Sequence, residues 1–282
     1  MLISHDVGKT ISCFPIDKRN SSWILDYTTA PKPFMHPVQT PAGHLLSLLE
    51  PADHLWHRGL WFTIKFVNGD NFWEERPPFG TQCVVGIPEI THGSPEDVEL
   101  RLALDWIAPN GGQRMIAERR TIRSRATDDA FVIDWGTVLT AERDITLDRT
   151  PYTTWGGYGG LSFRGSRSWL VDRFLLPDGV ADSRPAGQTG AWCEMSGPLD
   201  GGANLSAGLA MFDHPDNPRY PAPWYGGGAG SGNFLNAALL FHKPMKLQKG
   251  EVLALRHRVL IHDGIWDAER LQAEHQRWLQ DK

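Results

Sequence analysis

Apolar and polar residues alternate with period two along most of the chain. Val98, Leu100, Leu102, Leu104 and Trp106 interleave with Glu99, Arg101, Ala103 and Asp105, the pattern of a strand with one buried and one wet face. Leu60, Phe62, Ile64 and Phe66 alternate with Trp61, Thr63, Lys65 and Val67. The Asn68-Gly69 that follows is a hairpin-turn dipeptide leading to Phe72-Trp73. Residues 114–124 carry charge on both faces, which suits a strand near a sheet edge or over a wet cavity. Residues 130–140 read as a strand buried on both sides and interrupted at Gly136. Further strands are predicted near 11–17, 22–27, 44–49, 191–195, 204–212, 235–241 and 252–262. Helical spacing is confined to the last stretch, where Ala268, Leu271, His275, Trp278 and Leu279 recur three and four residues apart.

More than ten antiparallel strands exceed what one twisted sheet comfortably holds. The expected fold is therefore all-β: a large two-sheet antiparallel sandwich with a short C-terminal helix, forming a single domain over 1–282. No repeat, low-complexity linker or shift of composition divides the chain. Residues 213–233 form a long irregular segment containing Pro215, Pro218, Pro221, Pro223 and the run Gly226-Gly227-Gly228. Loops of that length inside a compact domain are usually functional or disordered.

Composition narrows the partners. With 41% apolar and 22% charged residues the chain has ample material for a core. A formal charge of -5, spread without blocks, gives no electrostatic reason to expect nucleic acid or anionic membrane. No apolar run approaches the roughly 18–20 residues of a spanning helix, and the N-terminus lacks a secretory signal, so a cytoplasmic protein is expected. Cys13, Cys83 and Cys193 lie far apart with no C-x-x-C pair, which predicts three buried, inert thiols. Twelve Trp outnumber five Tyr, and many sit beside Gly, Pro or His. Such indoles offer flat faces to a sugar ring, although large β cores use many aromatics too. The expected partner is a small-molecule carbohydrate, and homo-oligomerisation stays open.

The chemistry concentrates in Asp53-His54-Leu55-Trp56-His57-Arg58-Gly59. On a strand His54 and His57 would face opposite ways, whereas on a helical turn they would lie side by side. Pro51 before them and Gly59 after them favour a turn, which Asp53 could cap by accepting from the amides two or three residues on. His54 and His57 can exchange protons near neutral pH, and Arg58 can hold a carboxylate or stabilise an enolate. Alternatively His36, His54 and His57, with Glu74 or Glu75, could bind a divalent metal. Either reading competes with histidines that simply hydrogen-bond buried backbone. Just downstream, Trp73, Glu74 and Glu75 offer a ring to stack on and acceptors for hydroxyls.

Two later clusters add candidates. Trp155-Gly156-Gly157-Tyr158-Gly159-Gly160 lacks the G-K-[ST] ending of a phosphate loop, but its glycines allow a ligand to approach beside Tyr158. Arg164 closes that segment and could bind a carboxylate or pair with Asp172. His214 begins the long loop, which carries Asn217, Arg219, Tyr220, Trp224 and Tyr225 and would serve as a lid or cleft wall. His257 and His262 sit at odd separation in one strand and should face opposite sides. His5, His92 and His275 read as surface residues.

These motifs carry a resemblance. His36-Pro37-Val38, Thr40-Pro41-Ala42-Gly43 and Pro51-Ala52-Asp53-His54-Leu55-Trp56-His57-Arg58-Gly59-Leu60-Trp61 resemble the opening motif of the PmoA-like family of bacterial proteins. Gly156 to Arg164 is similar to its second motif, and Met211-Phe212-Asp213-His214-Pro215-Asp216-Asn217-Pro218-Arg219-Tyr220-Pro221 to its third. The label "methane oxygenase" often attached to that family conflicts with the lack of spanning segments. The resemblance implies a galactose-mutarotase-like supersandwich and a place in sugar catabolism. No catalytic motif of the sugar epimerases stands at matching positions, so no acid or base carries over. Three functions follow: an epimerase, lyase or hydrolase acting on a sugar or oxidised sugar by His/Arg chemistry, a non-catalytic carbohydrate-binding protein, and, ranked last, a metal-dependent oxygenase.

Overall fold

The computed structural model describes residues 1–15, 22–127, 129–151, 156–181, 184–202, 204–227 and 232–281. Trp155 and Gly228, singled out above, lie outside them, as do residues 16 and 17 of the strand expected at 11–17. Two nine-stranded antiparallel sheets stack face to face. The first runs, in spatial order, Leu2–Asp6, Thr10–Phe14, Trp23–Asp26, Phe34–Val38, Leu60–Thr63, Gly160–Arg164, Phe234–Ala237, Pro223–Gly227 and Ala186–Thr189. The second runs Gly179–Val180, Arg173–Leu176, Trp192–Pro198, Ser206–Asp213, Val252–Asp263, Ala130–Ala141, Arg114–Ala126, Asp97–Ile107 and Thr81–Ser94. Alternation decides which side chains meet between them. Leu60, Phe62, Leu161, Phe163 and Leu235 of the first sheet join Leu100, Leu102, Trp106, Ile133, Leu209 and Val259 of the second in one core.

The outward faces are covered separately. Helix Ala268–Gln280 starts at Asp267, whose carboxylate accepts from the Arg270 amide at 2.8 Å. It lays Leu271 and Trp278 on Ala210, Phe212 and Leu260 of the second sheet. Each such side chain contributes about 1.5–3 kcal/mol by burial. Phe34, Trp61 and Phe234, outward on the first sheet, gather with Trp56, Trp73 and Tyr158 from loops into an aromatic cluster. That cluster positions the site.

Several expectations are corrected. A third, four-stranded sheet joins Met245–Leu247, Ile145–Asp148 and the hairpin Phe66–Val67/Asp70–Asn71, whose turn residues Asn68 and Gly69 both have positive φ. Residues 44–49 form only isolated bridges, because Gln39, Arg58 and Gly165 each offer a single pairing position. The strand Ala130–Ala141 runs through Gly136 unbroken, and its outward residues from Asp134 on are half exposed. Arg114–Ala126 is not at an edge but does lie over a charged cavity, which its Thr121, Arg123 and Arg125 line. Its inward pair Glu118 and Arg120 is sealed in the core, where Glu118 accepts from Trp106 Nε1 at 2.7 Å and Arg120 donates to Gln82 at 3.1 Å. The loop 213–233 contains the strand Pro223–Gly227. Cys83 is exposed while Cys13 and Cys193 are buried. His275 lies on the buried face of the helix and faces the Asp213 carbonyl. Among the described residues no helix is long and apolar enough to cross a membrane.

Candidate functional site

Two successive turns deliver the histidines into the strand at Leu60. The His54 amide donates to Pro51 O at 2.8 Å and the His57 amide to His54 O at 2.9 Å. Spacing of three residues on such turns brings the two rings side by side, with centroids 4.7 Å apart. Gly59 (φ 61) ends the segment, and a Cβ there would run into the carbonyl of Met35 on the neighbouring strand. Asp53 does not cap the turn. Its carboxylate instead faces His54 Nδ1 at 3.0 Å, Arg164 Nη2 at 3.2 Å and Arg167 Nη2 at 3.0 Å. Partial burial works to raise Asp53, but the His54 hydrogen bond, a backbone amide and the Arg164 charge outweigh it and bring it down to about 2.

The rings open on a cleft of about 70 Å³ over the outer face of the first sheet. His54, His57, Trp73 and Tyr158 form its aromatic side, and Arg164, Arg184, Tyr225 and Phe234 close it. His57 is wedged between Trp61 and Phe234, each with its ring centroid 5.2 Å away. Burial, reinforced by the charges of Arg164, His54 and Lys32, holds its imidazole well below its ordinary value, so it is neutral at pH 7. Behind Tyr158 lies a buried Lys65–Glu74 ion pair. Burial, with the Glu74 charge, pushes the Tyr158 hydroxyl up. Polar atoms here are left without partners: among the described residues His57 Nδ1, Trp61 Nε1, Trp73 Nε1, Glu74 Oε2 and Arg164 Nε are buried and make no hydrogen bond. Such atoms are costly unless a ligand or water meets them.

Not every expected residue reaches this cleft. Arg58 turns away from His57 and is held by Glu75 on two nitrogens and by Glu50 at 2.6 Å. Lys32 joins Glu75 at 2.6 Å and also donates to Trp73 O. Burial lowers Lys32 to about 8 against the pull of Glu75. The segment 72–76 therefore splits: Trp73 faces the cleft, Glu74 sits behind it, and Glu75 anchors Arg58. His36 Nδ1 is bound to Ser47 Oγ at 2.8 Å and does not line the cleft. Among the described residues no three His, Cys, Asp or Glu side chains gather as a metal-holding group, so His36, His54 and His57 do not converge.

The third cluster is structural in its contacts. His214 packs edge-on against Trp278 beneath the C-terminal helix, on the second sheet. Asn217 ties Asp213 and both backbone groups of Arg256 together. Arg219 donates to the carbonyls of Leu239, Lys243 and Pro244. Trp224 is fully buried in the core and donates to Gly190 O at 2.9 Å. Arg164 does reach the cleft, but it pairs with Asp53 and not with Asp172. His257 and His262 face opposite sides, toward Asp213 and toward Glu194.

Sequence reading missed Arg184 and Phe234, and it named Tyr225 only as part of the loop. Phe234 lies two residues before Asn236 on an outward-facing alternation, a signal too short to read without its sheet neighbours. A larger cavity, about 250 Å³, lies on the outer face of the second sheet beside Trp278. Its guanidiniums are paired: Arg258 with Asp134 and Asp281, Arg125 with Asp281, Arg123 with Asp97, and Arg256 with Asp216 at 3.6 Å. It has the volume, but its charges already satisfy one another.

Comparisons with known proteins add the following. A family model described as a family of unknown function (DUF6807) matches residues 21–276. No curated protein matches the chain. Among solved structures, it is similar to a GH36 α-galactosidase from Geobacillus stearothermophilus, with 9% identity and a TM-score of 0.44 over 94% of this chain and 41% of that one. It is also similar to a galactose mutarotase related enzyme from Lactobacillus acidophilus (9% identity, TM-score 0.35, 92% of this chain and 96% of that one). A polysaccharide lyase matches at 13% identity and a TM-score of 0.38, over 97% of this chain and 35% of that one. The chain thus spans less than half of the galactosidase and of the lyase. Likenesses this distant leave the site to be read from its own residues.

Proposed function

Starting from a chain that belongs to the DUF6807 family, we propose that the cleft on the first sheet binds a sugar or oxidised sugar and moves a proton on it, as an isomerase or lyase does. The observation that carries this reading is the meeting of two imidazoles, 4.7 Å apart, with a buried guanidinium inside aromatic walls. Asp53 at His54 Nδ1 favours the tautomer whose Nε2 lone pair is free to act as base. His57, kept neutral, is suited to donate an N–H to a developing oxyanion without first losing a charge.

In this scheme His54 takes a proton from the carbon next to a carbonyl. The C–H electron pair moves onto the carbonyl oxygen, and the enolate faces His57 and Arg164. The proton then returns from His54 to the former carbonyl carbon while the α-hydroxyl proton passes to the enolate oxygen, which leaves the carbonyl on the neighbouring carbon and gives the isomer. Alternatively, the carbonyl re-forms as a β-substituent leaves with its electron pair, giving the unsaturated product. Because the two rings stand side by side, both transfers occur on one face of the sugar, which disfavours two-base inversion. Among the described residues no carboxylate lines the cleft, so hydrolysis by a carboxylate pair is a poorer fit. The motif likeness to PmoA-like proteins is compatible with this reading and adds no residue to it.

An NMR screen of aldoses, keto-sugars and sugar acids, with and without divalent metal, tests it. His54→Gln and His57→Gln should each cut turnover by roughly 10²–10⁴ while leaving affinity within a few-fold. Unchanged turnover in both variants would sink the enzyme reading. Absence of turnover in the wild type, with affinity lost in Trp73→Ala, would make this a carbohydrate-binding protein.

A further inference from the structure

We infer that the ligand of this cleft is a sugar acid, whose carboxylate docks on Arg164; the inference rests on the sugar reading above. Among the described residues the cleft lining contributes two guanidiniums, Arg164 and Arg184, and no carboxylate. The nearest acids are engaged elsewhere: Glu74 by Lys65, and Asp53 by His54 and Arg167 as well as Arg164.

Arg164 is the more telling of the two cations. Its side chain is 3% exposed, yet among the described residues its ion-pair partner is a single carboxylate that is 45% exposed and shared with a second guanidinium. Its Nε is buried with no partner at all. A guanidinium taken out of water needs close, well-aligned anions to offset the loss, and Asp53 meets one nitrogen only. Arg58 shows what full compensation looks like in the same protein, with three nitrogens matched to two carboxylates. Arg164, by contrast, keeps Nε unmatched.

The surroundings favour a planar, small anion. Gly232 (φ 84) lies directly against the guanidinium, where any Cβ would collide with it, so the backbone closes over one side of the fork. The donor left unmet is Nε, and the Nε side of the fork suits the two coplanar oxygens of a carboxylate. Trp73 and Tyr158 offer flat faces for the ring to which that carboxylate is attached. A carboxylate at this position also stands beside His54 and His57, so the carbon next to it is within reach of the base.

Isothermal titration of the full chain with glucuronate and galacturonate, with glucose and galactose, and with glucose 6-phosphate tests the assignment. The uronates should bind roughly 30-fold tighter than the neutral sugars, reflecting a charge-assisted pair in a dry site. Arg164→Gln should bring the two classes to within about three-fold of each other, with its unfolding midpoint measured alongside. Neutral sugars binding as tightly as uronates to the wild type overturn the inference without any variant and leave the sugar reading standing. A uronate preference that survives in folded Arg164→Gln overturns it as well. Tighter binding of the phosphate reassigns the anion and refutes the carboxylate. If no saccharide of any class binds, the sugar reading fails and this inference fails with it.

Discussion

The outer faces of the two sheets both set guanidiniums beside a tryptophan, and they compensate those charges in opposite ways. On the second sheet, Arg258 is 1% exposed and donates to Asp134 at 2.5 Å and to Asp281 at 2.9 Å, while Trp278 lies over it at 5.4 Å. Arg125 shares Asp281 at 2.9 Å, and Arg123 chelates Asp97. On the first sheet, Arg164 has one shared carboxylate among the described residues, and its Nε, like His57 Nδ1 and Trp73 Nε1 beside the cleft, makes no hydrogen bond. The second arrangement lowers stability relative to what the same residues could achieve. Proteins keep such deficits where a ligand supplies the missing partner. A larger cavity whose charges are matched is therefore a weaker candidate than a smaller one whose charges are not.

Substitutions sharpen that contrast, beginning with the largest effect. Arg164→Gln should reduce kcat/KM by roughly 10²–10³ with a stability change under about 1 kcal/mol, read by steady-state kinetics and urea unfolding together. Arg258→Ala should do the reverse: a loss of about 1–2 kcal/mol in urea unfolding, because it removes a buried side chain packed on Trp278 and unpairs the part-exposed Asp134 and Asp281, with turnover per folded molecule within a few-fold of wild type.

The cleft histidine gives a pH signature. Burial first, then the neighbouring cations, depress His57 well below 6.5, so the unfolded chain binds its proton more readily than the native one. The stability it carries is complete above about pH 6.5 and declines as pH falls toward its native value, by up to about 1.4 kcal/mol per unit. In His57→Gln the acid-side decline between pH 7 and pH 5 should be shallower than in the wild type, the remainder coming from His36, His214, His257 and His275, which burial also depresses. An identical slope in wild type and variant would mean the ring is not held neutral. Smallest of all, Arg125→Gln should cost no more than about 0.5 kcal/mol, since its pair with Asp281 is part exposed.

Much of the sandwich was legible because alternation is a direct readout of burial. Val98 to Trp106 and the C-terminal helical spacing both stand where the pattern puts them. Residues 44–49 do not form the expected strand because the apolar Leu45, Leu46, Leu48 and Leu49 suggest one by length and composition yet have no continuous neighbour to pair with. In the site, the turn spacing of His54 and His57 could be read locally. Arg58 could not, since only the fold shows Glu75 and Glu50 meeting it. Arg164 arrives from a strand more than a hundred residues away, and Phe234 from further still. Which guanidinium faces the imidazoles is a matter of sheet order, and sheet order is not a local property of the chain.

A crystal structure of the protein soaked with a uronate decides between the two cavities most directly. The account predicts ring density against Trp73 and Tyr158 with the carboxylate against Arg164 and the adjacent carbon near His54. Density at the arginine–aspartate cavity beside Trp278, with the first-sheet cleft empty at saturating ligand, would contradict it.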